Sequence, residues 1–151
     1  MSNSTERNLD RLAAECAQAI IRRVVDEEET QKNKRENEKK SKQQLATSID
    51  NTITKALGVL QENGVYACFL YLLAREKENG SVVVDEMLSL LGGLFSEWKK
   101  PMRNGQSDLS SDVVLKHITE KVTTDLERLL LAKETLEQML IYARYGAKAR
   151  E

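Results

Sequence analysis

TTDLERLLLAKETLEQMLIYA, the stretch from Thr123 to Ala143, decides the fold class of this chain. Leu126, Leu129, Leu130, Leu136, Met139, Leu140 and Ala143 recur at the spacing of one helix face, interrupted only at Lys133. A lysine fits there because its methylene stem lies along apolar neighbours while its charge stays in water. Thr123 or Thr124 is placed to cap the start.

Val65 to Arg75, VYACFLYLLAR, is apolar almost all round and predicts the most buried helix of the chain. Asn63-Gly64 and Asn79-Gly80 bracket it as helix stops. Before it, Leu45, Ile49, Ile53, Ala56, Leu57 and Leu60 form a second stripe. After it, a helix starting near Ser81 carries Asp85 and Glu86 in its first turns and buries Met87, Leu88, Leu91, Leu94, Phe95 and Trp98. Val82-Val83-Val84 is strand-like locally, but no partner strand is found elsewhere, so it reads as a helix start. Lys99 to Asp108 (KKPMRNGQSD) holds the only proline and reads as a loop joining two halves of a bundle. Asp108, Ser110 or Ser111 can then cap a short helix with Val113, Val114, Leu115 and Ile118.

Towards the N-terminus, Leu9, Leu12, Ala13, Cys16, Ala19, Ile20 and Val24 make a further stripe, with Ser4 or Thr5 as its cap. Between that stripe and Leu45 lies Asp26 to Gln44, with six acidic, six basic and no aliphatic or aromatic side chains. It cannot enter a core and reads as a charged helical extension or a linker. The expected architecture is all-α: an antiparallel helical bundle of four to six helices, one domain over residues 1–151, with the charged extension at 26–44.

At 151 residues and 17.1 kDa the chain fits one core. A single proline and seven glycines leave little to break helices. The net charge of -1, from 23 basic and 24 acidic residues, excludes a bulk polycation, so any nucleic-acid binding must use local patches. Cys16 and Cys68 lie in apolar runs and are expected to be buried free thiols. Met1 to Asp10 is polar, unlike a signal peptide, and Val65 to Ala74 is far shorter than the about 20 residues of a membrane span. The expectation is a cytoplasmic protein without membrane contact.

No residue pattern points to catalysis. His117 has no neighbouring histidine or cysteine, and the residue three before it is Val114, so the Glu-x-x-His spacing of carboxylate-bridged metal bundles is missing. Gly92-Gly93 sits in an apolar helix, where close packing explains it better than phosphate binding. The expectation is a protein without enzymatic activity, metal or cofactor. Three basic clusters remain: Arg22 and Arg23; Lys99, Lys100 and Arg103; and Arg144, Lys148 and Arg150. The last also suits the negative end of a helix dipole.

Two passages resemble a known family. Leu60 to Leu73, LQENGVYACFLYLL, and Leu129 to Ala149, LLLAKETLEQMLIYARYGAKA, are similar to the small helical subunit of type III CRISPR-Cas effector complexes, in the Cmr-type branch. The charged stretch 26–44 and the basic Pro101 loop depart from that pattern. The resemblance implies a non-catalytic subunit of an antiviral defence complex, present in multiple copies and contacting neighbouring subunits and the backbone of guide and target RNA. It implies Arg144 and Lys148 as backbone contacts, with Tyr142 and Tyr145 packing. Charge alone adds Arg22, Arg23, Lys55 and Lys99 as candidate RNA-binding residues. The alternative is a helical adaptor or oligomerisation module that binds only protein.

Overall fold

A computed structural model of the chain describes residues 8–27 and 41–151. The expected caps Ser4 and Thr5, and residues 28–40 of the charged stretch, lie outside the described residues. The first helix, α1, runs Leu9–Ile21 and is capped by Asn8, whose side chain accepts from the Arg11 amide at 3.0 Å. It continues through a wider π turn, Arg22–Asp26.

The second helix, α2, spans Lys42–Asn63. It begins within the charged stretch, three residues before the first leucine, because Ser41 and Gln44 cap each other's backbone amides at 3.1 and 3.0 Å. It ends at Gly64 with φ 98°, a left-handed conformation suited to glycine, as the Asn63-Gly64 pair predicts.

The next two helices, α3 (Val65–Arg75) and α4 (Glu78–Leu94), divide their burial differently from the sequence expectation. α3 buries Val65, Cys68, Phe69 and Leu72 but exposes Tyr66 and Leu70. α4 is buried more extensively than α3, with Val83, Val84, Met87, Leu88, Leu90, Leu91 and Leu94 inside. α3 is contacted by α2, α4 and two later helices, but its side bearing Tyr66 and Leu70 meets solvent. The break between them falls at Glu76 and Lys77, and Asn79-Gly80 lies inside α4. Gly80 is there for close approach, since a Cβ on it would sit 2.6 Å from the Leu72 carbonyl oxygen. The three valines 82–84 are helical, and Trp98 is buried in a 3-10 turn, Ser96–Trp98.

The basic loop contains a two-residue hairpin, β1 (Met102–Arg103) with β2 (Gln106–Ser107), turned by Asn104 and Gly105 at φ 53° and 77°. Asn-Gly suits such a turn because both central residues need positive φ. Helix α5 (Ser111–His117) and a π turn (Ile118–Val122) lead to α6, Leu126–Lys148. Asp125 caps α6 by accepting from the Arg128 amide at 3.2 Å. Thr123 and Thr124 instead donate back to the carbonyls of Thr119 and Lys121, closing the preceding turn. The expected apolar face of α6 holds at Leu136, Met139, Leu140 and Ala143, which are buried. It fails at Leu126 and Leu130, 68% and 53% exposed, while Leu129 is half-buried.

Among the described residues the result is an all-α bundle with six α-helices. α6 packs on α1 and α2, and α1 also lies on α4. Glycines allow both approaches of α1: a Cβ on Gly146 would meet Ile21 at 3.1 Å, and one on Gly93 would meet Leu12 at 3.0 Å. Gly92 similarly faces the backbone of Lys99.

A half-buried charge cluster ties three segments. Asp85 of α4 accepts from Arg23 at 2.9 Å, Lys100 at 2.8 Å and Ser107 at 2.7 Å, and Arg23 also donates to Glu86 at 2.8 Å. Burial pushes the Asp85 carboxyl up, but Lys100, Ser107 and Arg23 outweigh it and hold it below the usual range. A carboxylate depressed on folding stabilises the native state above its unfolded value of about 3.9, and that contribution is lost as pH falls through the folded value. Asp85→Ala is therefore expected to cost about 2–4 kcal/mol in urea denaturation at pH 7. The gap from wild type should narrow below about pH 4; a pH-independent gap would contradict this account.

Candidate nucleic-acid interface

Arg144 and Lys148 stand four residues apart on α6 and therefore share a face. Both point at one carboxylate. Lys148 Nζ lies 3.3 Å from Asp50 Oδ2 and Arg144 Nε 3.8 Å from Asp50 Oδ1. The Asp50 side chain, from α2, is only 10% exposed, against 42% for Arg144 and 46% for Lys148. The acid thus sits beneath and the cations form the rim. Thr54 donates to Asp50 Oδ1 at 3.2 Å and fixes it from its own helix. At 3.8 Å the Arg144 contact is too long for a hydrogen bond, and Nε, though buried, has no acceptor.

Further acids share this corner. Burial pushes Asp50 up, but hydrogen bonds with Glu151, Lys148 and Thr54 hold it below the usual carboxylate range. Glu151, in turn, is raised by its hydrogen bond to Asp50. Beside them Arg150 grips Asp26 through Nε and Nη2 at 3.1 and 3.2 Å, and Lys42 lies 3.6 Å from the same carboxylate. The cluster is dense in both signs of charge.

The other candidate cations are dispersed. Arg22 is exposed and pairs with Glu27 at 3.2 Å. Arg23 is held by Asp85 and Glu86 in the cluster that joins α1 to α4. Lys99 is exposed next to Lys100, and Lys55 is exposed on α2; neither makes an ion pair among the described residues. Of the six candidates, only Arg144 and Lys148 share a partner. Tyr142 packs as expected, half-buried with its hydroxyl donating to Asp10. Tyr145 does not: it is 67% exposed, because Ala143 and Ala147 take the inward face of that turn.

Sequence reading overlooked Asp50. Its signal was a carboxylate beside Ile49 within an apolar stripe, a position that demands a buried partner. It also overlooked two exposed apolar pairs at four-residue spacing, Tyr66 with Leu70 and Leu126 with Leu130.

Compared with protein-family models, curated proteins and solved structures, the chain matches none of them. Local chemistry must therefore carry the reading. His117 Nε2 lies 3.2 Å from the Trp98 carbonyl oxygen, a contact that holds the 3-10 turn; burial lowers its pKa and that hydrogen bond partly offsets it. No cluster of three or more His, Cys, Asp or Glu among the described residues is placed to hold a metal ion, and no described helix is long and apolar enough to cross a membrane. An open groove of about 340 Å³ runs between α1 and α6, floored by Ala14, Ala17 and Gly146.

Both cysteines are free and buried. Burial, with Glu86 and Glu15 nearby, pushes Cys16 to about 11, and burial alone pushes Cys68 to about 12. At pH 8 both thiols should therefore resist a disulfide reagent such as DTNB in the native protein and react within minutes in denaturant. Prompt reaction of either thiol under native conditions would show that its helix opens locally.

Proposed function

We propose that this protein is a non-catalytic helical subunit of a CRISPR-Cas effector of the Cmr-type, contacting RNA backbone and neighbouring subunits. The observation that carries the RNA half is the paired Arg144 and Lys148 on one face of α6, each almost half exposed and so accessible to a phosphodiester. The setting rests on the resemblance of 60–73 and 129–149. Two cations meeting a phosphate chain bind without reading bases, and they release counterions as they do so. The exposed pairs Tyr66 with Leu70 and Leu126 with Leu130 support the subunit half, as apolar anchors facing outward on two helices.

A second reading is favoured by a specific observation. Asp50 already neutralises Arg144 and Lys148 in part, and Arg23 is held by Asp85 and Glu86. An adaptor that binds protein alone through its exposed apolar pairs would have this arrangement.

Binding of a generic single-stranded RNA at low and moderate salt separates the two. Wild type should bind with marked salt dependence. Arg144→Ala with Lys148→Ala should weaken binding and reduce the slope of log K against log salt by about 1.4, two contacts at roughly 0.7 each. Absence of binding by wild type at low salt would sink the RNA reading and leave the protein-only adaptor.

A further inference from the structure

We propose that Asp50 is a built-in stand-in for phosphate, holding Arg144 and Lys148 in position and tuning their affinity for an incoming RNA phosphodiester. The inference rests on the RNA-contacting reading above and assigns a role to a residue on the opposite helix. Three features of the site lead to it.

First, one carboxylate serves two cations from below. The Asp50 side chain is nearly buried, while Arg144 and Lys148 rise around it and keep an outer side in solvent. A phosphate approaching along that outer side meets both cations at once without having to enter the core. Second, the carboxylate does not satisfy both. Its Oδ2 takes Lys148 at 3.3 Å and its Oδ1 takes Thr54 at 3.2 Å, which leaves Arg144 Nε 3.8 Å away without an acceptor. A phosphodiester on the outer side offers acceptor oxygens to the solvent-facing end of the Arg144 side chain, which is 42% exposed, so the arginine gains partners there that the carboxylate does not supply. Third, Asp50 cannot swing aside freely, because its side chain is nearly buried and Thr54 holds it from its own helix. It therefore acts as a fixed negative charge against which every phosphate competes.

This device sets a threshold. Isolated phosphates are opposed by Asp50 and bind weakly, whereas a polyanion tethered nearby by assembly reaches the pair at high effective concentration. Charge removal at Asp50 should therefore lower the threshold far more than charge removal elsewhere on the surface.

The test is RNA binding by Asp50→Asn, which keeps the size of the side chain and removes its charge. Asp50→Ser provides a second neutral replacement should the first fold poorly, and circular dichroism with thermal melting checks both. Glu134→Gln, an exposed acid on α6, is the control for loss of one negative charge. Both Asp50 variants should bind single-stranded RNA about five- to tenfold more tightly at low salt. The control should gain less than about twofold. Adding Arg144→Ala to Asp50→Asn should abolish the gain. If wild type binds RNA but the Asp50 variants gain no more than the control, or keep their gain without Arg144, the inference falls while the RNA reading stands. If wild type and every variant fail to bind, both fall together.

Discussion

The seating of α6 against both α1 and α2 is the constraint on which the bundle depends. Small residues allow it on the α1 side, where Ala14 and Ala17 lie opposite Gly146 and Ile21 fills the space that a side chain at 146 would need. Close approach lets Leu136, Met139 and Leu140 enter the shared core. Polar bonds fix the register at both ends of α1, where Tyr142 meets Asp10 and Arg150 meets Asp26. On the α2 side, Lys148 meets Asp50 and Gln43 donates to the Glu151 carbonyl at 2.8 Å.

The same seating produces the candidate interface. Arg144 and Lys148 face Asp50 only because α2 and α6 lie alongside each other there, so the geometry of the cations is inherited from the core. The cluster around Asp85 has the opposite character. Its cations, Arg23 and Lys100, are drawn inward to tie α1 and the hairpin to α4. Clusters that look alike as a run of basic letters thus serve different ends, and the position of the nearest carboxylate decides which.

Helix content was legible in the sequence because the stripes at 9–24, 45–60, 87–98 and 126–143 follow a 3.6-residue period. Caps were less so: Asn8 and Asp125 stand one residue ahead of their helices, but nearby Thr and Ser residues offered equally good local chemistry. The burial of 65–75 was misjudged because composition reports how apolar a helix is and not how many sides its neighbours cover. Leu126 and Leu130 misled for the same reason. The site was half legible. Arg144 and Lys148 could be paired from their spacing, but Asp50, 98 residues before Lys148, becomes their partner only through the tertiary contact.

Hydrogen exchange along α6, read residue by residue by NMR, tests the central claim that the helix presenting the cation pair is locked into the core to its end. The account predicts that amides from Leu136 to Ala147 exchange only through global unfolding, with the same free energy as those of Ile49 to Leu60 on α2. Fast local exchange from Ala143 to Ala147, with α2 still protected, would contradict it, because Arg144 and Lys148 would then stand on a fraying end and not on a fixed platform.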